Sequence, residues 1–178
     1  MSRMGGRPSG RGARALNPGA WLLAPALACL LITLLLAAPF RIFGLALPEP
    51  VFAVMLAFSW ALLRPSLLAP FAQLGTGLLL DVLWGSPLGL WALSLLLTYT
   101  LVLITRPLIS GQSALVTFIW YVAATLFAFA CAYVFTMLDA RVRPNLWAVA
   151  SQVLFTALLY PVVGKVIERF AEADVRYR

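Results

Sequence analysis

Histidine is absent from this chain, and charge is scarce: 11% of the residues are Asp, Glu, Lys or Arg, against about 25% in a soluble domain. Without histidine there is no Ser/His/Asp triad, no Cys/His metal cluster and no imidazole proton shuttle. The only cysteines, Cys29 and Cys131, each lie inside an apolar run. If those runs begin near Trp21 and Leu115, the two thiols sit eight and sixteen residues in, about 12 Å apart in depth. A disulfide needs Cα atoms within about 7 Å, so free thiols packed as small hydrophobes are expected. No glycine loop precedes a lysine in the manner of a phosphate site, and Gly75, Gly77, Gly85 and Gly89 lack the strand–helix context of a nucleotide fold. No basic–aromatic interleaving forms a base-stacking platform, so nucleic acid is not an expected partner. No cofactor, metal or catalytic set is expected, and an enzyme is disfavoured.

What the chain has is apolar surface: 63% of its residues are hydrophobic, in long runs broken by short Pro, Gly and Arg clusters. That pattern predicts an all-α integral membrane protein, because a chain crossing lipid must satisfy its own backbone polar groups. Alternating ten-residue segments of a β-barrel are not visible. Residues 1–19, with Arg3, Arg7, Arg11 and Arg14 among Gly, Ser and Pro, read as a disordered basic tail. Ala26-Leu27-Ala28-Cys29 resembles a lipoprotein cleavage box, but the apolar run continues through Leu36, so the segment reads as an anchor.

Six spans are predicted within a 20–168 transmembrane domain: Trp21–Phe40, Val51–Leu63, Leu67–Trp84, Leu88–Thr105, Ala114–Leu138 and Leu146–Val166. The second is short for a bilayer, which takes about 20 apolar residues to cross. The sixth carries Pro161, a predicted kink. Residues 169–178 form a charged tail. With six spans both termini share a side. That side carries Arg3, Arg7, Arg11, Arg14, Arg64, Arg106, Lys165, Arg169, Arg176 and Arg178; the other carries only Arg41, Arg141 and Arg143. The positive-inside rule then places both termini in the cytoplasm, and the basic excess near anionic lipid headgroups. Trp21, Trp60, Trp84 and Trp147 fall near predicted span ends, as interfacial anchors would.

One carboxylate interrupts the apolar runs. Gln73, Gly77, Asp81 and Gly85 recur every four residues, a spacing that turns a helix by about 400° and keeps them on one stripe. Such a stripe is either a substrate or proton site centred on Asp81, or a helix–helix seam in which the carboxylate meets a hydroxyl, an amide or an outer arginine. A lone acid with no second acid, histidine or lysine cannot form an acid–base pair, which favours the seam. Ala124, Ala128 and Ala132 make a small-residue row, and Gln152, Thr156 and Tyr160 a polar one; both suit helix packing.

Taken in order, Gly77-Leu78-Leu79-Leu80-Asp81, Gly85-Ser86-Pro87-Leu88-Gly89, Leu93 and Tyr99 resemble the pattern of the MreD family of bacterial rod shape-determining membrane proteins. Pro48 and Pro50 before the second span, the Arg64-Pro65 turn, Arg143-Pro144 before the sixth span and Tyr160-Pro161 within it add to the resemblance. The resemblance implies a compact six-helix bundle similar to the substrate-binding subunits of ECF transporters. It also implies a non-enzymatic scaffold in the bacterial inner membrane that docks MreC, RodA with its penicillin-binding transpeptidase and, indirectly, MreB. Gln73, Gly77, Asp81, Gly85, Pro87 and Gly89 would then be packing or docking residues. The alternative expectation is a vitamin-type binding subunit of a transporter, with Asp81 near an outward pocket.

Overall fold

The computed structural model describes Leu31 and residues 41–42, 45–46, 50–63, 65–140 and 145–165. The first predicted span apart from Leu31, both tails, Cys29, Trp21, Arg64 and Arg143-Pro144 lie outside the described residues. Two short strands, β1 (Arg41–Ile42) and β2 (Leu45–Ala46), pair antiparallel with Arg41 opposite Ala46. Among the described residues the elements that follow are helices: α1 (Phe52–Leu63), α2 (Ala69–Trp84), α3 (Leu90–Ile109), α4 (Ala114–Ala140) and α5 (Leu146–Ala157).

Among the described residues three helical stretches are long and apolar enough to cross a membrane: Leu90–Ile109, Ala114–Leu138 and Leu146–Lys165. At 1.5 Å per residue the first is about 30 Å long, the thickness of the hydrocarbon layer. The last joins α5 to the turn beyond it. The helix is interrupted at Leu158–Leu159, where Leu159 N–H bonds Thr156 O at 3.1 Å, and resumes through Pro161 to Lys165. Pro161 has no N–H for the carbonyl four residues back, so the ladder cannot run straight through.

α3 is the hub: it packs against α2, α1 and α4, while α5 rests mainly on α4. α1 is apolar all round and buried nearly all round, as a core helix should be. α2 is the reverse of a soluble amphipathic helix. It buries Gln73, Thr76, Gly77 and Asp81 and exposes Phe71, Leu74, Leu78, Leu79, Val82 and Leu83. A helix that hides its polar stripe and presents leucine outward is built for an apolar surround. The Ala124, Ala128 and Ala132 row of α4 is buried, and these small side chains let neighbouring helices approach.

Two features depart from the sequence reading. Trp60 is not an anchor; it is 3% exposed inside the core. Trp84 likewise turns inward, edge-on to Trp91 at 5.3 Å between centroids, and among the described residues Trp147, 83% exposed, stands outward as an anchor would. The helix of the fourth predicted span, α3, also continues past the predicted stop at Thr105, carrying Arg106 and Pro107 in its final turns. It continues because Arg106 folds back and donates from Nε to Leu62 O at 2.9 Å, tying the end of α3 to the end of α1.

At its other end α1 is held by Thr156. The Thr156 hydroxyl accepts from Val51 N at 3.1 Å, and Thr156 O accepts from Tyr121 Oη at 2.9 Å. The Val51 amide is one of the orphan donors of a helix start. Thr156→Val, which keeps the shape and removes the oxygen, should cost about 1–3 kcal/mol, because that amide is left buried and unpaired. Thermal unfolding of the detergent-purified chain measures it; no change in midpoint would mean that the amide has another partner.

Candidate functional site: a carboxylate that caps the next helix

α2 ends in a tight reversal. Gly85 takes the left-handed conformation, φ 61°, with its N–H on Val82 O at 3.4 Å, and Ser86 N–H reaches Asp81 O at 3.0 Å. That pair of bonds is a Schellman closure, which glycine enters without the Cβ penalty. Pro87 follows, where the helix cannot continue, and Gly89, φ 98°, opens α3.

Gly89 occupies the N-cap position of α3, where Ser, Thr, Asp or Asn ordinarily accepts an early helix amide. Glycine has no side chain to do this, and Asp81 does it from the preceding helix. Asp81 Oδ1 accepts from Trp91 N at 2.9 Å and from the Ser86 hydroxyl at 2.9 Å; Oδ2 accepts from Gly89 N at 2.8 Å. Trp91 is the second residue of α3, whose amide a capping side chain normally takes. The side chain of Asp81 is 0% exposed. The carboxylate also lies at the positive end of the α3 dipole, a favourable place for negative charge. The three donors are a hydroxyl and two backbone amides, not an arginine.

Gly77, one turn earlier, sets the spacing of the two helices. A Cβ there would lie 2.3 Å from Ala92 Cα, 2.5 Å from Ala92 N and 2.9 Å from Trp91 C. The α2 and α3 backbones therefore touch at this point, which brings Asp81 within reach of the α3 amides. Trp91 then stacks edge-on against Phe129 of α4, with centroids 5.6 Å apart. The structure thus gathers Gly77, Asp81, Gly85, Pro87 and Gly89 into one helix–turn–helix junction.

Gln73 lies on the same stripe but takes no part in the cap. It is 0% exposed, and among the described residues neither its Oε1 nor its Nε2 has a hydrogen-bond partner. Ser59 Oγ of α1 is in the same condition. Pro161 belongs to the interruption that follows α5. The sequence reading missed Trp91 and Ser86 as partners of Asp81. The signal was present: an acid four residues before a Gly-Ser-Pro turn, with a glycine where the next helix needs a cap.

Among the described residues no group of three His, Cys, Asp or Glu side chains stands close enough together to hold a metal ion. Both Asp81 oxygens are committed to the α3 start and its turn, so the arrangement fixes an interhelical angle and presents no free acid to a reactant. Comparison with family models, with curated proteins and with solved structures found no match.

Proposed function

We propose that this chain is a non-enzymatic membrane scaffold of the MreD type. In this reading it lies in the bacterial inner membrane with six spans and both termini in the cytoplasm. It serves side-wall peptidoglycan synthesis and cell shape by docking MreC, RodA with its penicillin-binding transpeptidase, and MreB indirectly. The observation that carries the reading is the inward use of Asp81. The one acid of the apolar runs is spent on holding two helices together, and α2 turns a face of Phe71, Leu78 and Val82 outward for lipid or for another transmembrane helix. The ordered motif residues quoted above supply the family, and the arginine asymmetry supplies the orientation.

The test is photo-crosslinking in growing rod-shaped cells, with the crosslinker placed at Phe71, Leu78 or Val82 of the full-length chain. Capture of a single-span periplasmic protein or of a polytopic wall synthase, with rounding of cells on depletion, is the expected result. A vitamin-sized ligand carried through purification, with growth defects that a nutrient repairs, would replace the scaffold with the transporter subunit.

A further inference from the structure

The α1–α2 hairpin is tied to the last turns of α3 at two points. Arg106, three residues before the end of α3, donates from Nε to Leu62 O at 2.9 Å. Two turns earlier the Tyr99 hydroxyl lies against the backbone of Ser66, in the loop that joins α1 to α2. The Nε bond orients the guanidinium plane and uses one of its five N–H donors. Among the described residues no hydrogen bond engages the four on its two Nη atoms, and the side chain is partly exposed. The acids of the described residues are Asp81 and Asp139. Asp81 caps the opposite end of α3, and Asp139 stands at the far end of α4, which starts at the Arg106 end and runs 27 residues, about 40 Å. Neither can pair with Arg106. The surface of this corner is apolar: Leu67, 90% exposed, and Leu68 follow Ser66 in the loop, and Ile104, 71% exposed, and Leu108 stand on the same last turns of α3.

We infer that this corner is a binding site for an anionic phospholipid, whose phosphodiester meets the Arg106 fork and whose acyl chains lie over the exposed leucines and Ile104. α3 is as long as the hydrocarbon layer is thick, so its last turn reaches headgroup level. A phosphodiester presents two anionic oxygens, which a planar guanidinium fork can take together. Inorganic phosphate would fill the fork and leave the apolar surface bare. A zwitterionic lipid brings its own cation beside the phosphate and gains less. The bond to Leu62 O distinguishes Arg106 from an ordinary surface base, because a side chain already oriented gives up less freedom on binding. Lys165 is the natural comparison. It ends the helical stretch whose Tyr160 hydroxyl donates to Ala114 O, so it stands at the same end of the bundle, exposed and without such a tie among the described residues. The site rests on the chain lying in a bilayer and on none of the scaffold's partners.

Native mass spectrometry of the full chain in detergent, titrated with phosphatidylglycerol or with phosphatidylcholine of the same acyl chains, tests it. Wild type is expected to bind phosphatidylglycerol about fivefold more tightly, the share of one basic residue against an anionic headgroup. Arg106→Gln removes that preference and Lys165→Gln keeps it. Equal binding of the two lipids by wild type, a preference that survives Arg106→Gln, or inorganic phosphate that displaces the lipid would overturn the site. A second measurement needs no variant and so does not depend on Arg106→Gln folding. Wild type in phosphatidylglycerol vesicles is labelled by a phosphatidylglycerol that carries a photoreactive group near its headgroup. Labels gathered on residues 66–68 and 104–108 are expected; even labelling over the outward faces of α2 and α5 overturns the site. Crosslinking at Phe71, Leu78 and Val82 reads partner docking separately, so the lipid site and the scaffold can each fail alone.

Discussion

Gly77→Ala should be among the most damaging single-methyl additions in this protein. The added carbon would stand 2.3 Å from Ala92 Cα and 2.5 Å from Ala92 N, and backbone cannot swing aside as a side chain can. The helices have to separate, and separation stretches the Asp81 bonds to Gly89 N and Trp91 N, each under 3 Å. Overpacking of a tight interface costs about 1–3 kcal/mol before any hydrogen bond is lost, so a total of about 3 kcal/mol or more is expected. Two comparisons make the explanation specific. Gly75→Ala, two residues away on the same helix, meets nothing within 4 Å; it should be neutral or stabilising by up to about 1 kcal/mol through helix propensity alone. Ala92→Gly should fail to rescue Gly77→Ala, because the atoms in the way are main-chain ones. Unfolding midpoints of the purified variants decide the matter. A Gly77→Ala protein as stable as wild type would mean that the two helices are not in backbone contact.

The helices themselves were legible because length and hydropathy mark them: the fifth predicted span, Ala114–Leu138, is contained in α4, Ala114–Ala140. Ends were harder. Arg106-Pro107 carries the punctuation that ordinarily stops a helix, but a carbonyl on another helix, Leu62 O, holds the arginine in place while the last turn closes over the proline. Tryptophans were read by their distance from span ends, which is blind to direction. Trp60 and Trp84 are near ends and yet face inward, because α1 is enclosed on nearly every side and because Trp84 has Trp91 to pack on.

For the site, four-residue spacing was enough to align Gln73, Gly77 and Asp81 on one face of α2, and the structure places that face inside. Spacing cannot tell what a buried polar group meets across an interface. Asp81 and Gln73 are both fully buried and look alike on a helical wheel; one is supplied with three donors by the turn and helix that follow, and the other finds nothing among the described residues. The difference lies in register. Asp81 is close enough to the chain reversal to reach the next helix's unpaired amides, whereas Gln73, two turns back, faces helix interiors whose amides are already bonded.

That register makes the chemistry of position 81 testable by degrees. Asp81→Leu removes the carboxylate from the start of α3, leaves Gly89 N and Trp91 N without partners, and leaves the Ser86 hydroxyl only the long bond to the backbone Asp81 O at 3.4 Å. At about 1–3 kcal/mol for each buried donor that stays unpaired, a loss of about 3 kcal/mol or more is expected, a large part of the stability of an ordinary domain. Asp81→Asn is milder but not silent. Its one carbonyl oxygen can serve one side of the cap, while its NH₂ points a donor at a donor on the other, so about 1–3 kcal/mol is expected. Ser86→Ala should be the mildest of the three, since it leaves both backbone amides capped, and about 1 kcal/mol is expected. The order Leu, Asn, Ser86→Ala, from most to least damaging in unfolding midpoint, is the signature of a cap. If Asp81 served a substrate or a proton path instead, Asp81→Asn would abolish function in cells while the purified protein unfolded at the wild-type temperature. A scaffold built on this cap predicts the opposite coupling: partner capture falls in step with stability across the series, and Ser86→Ala retains most of both.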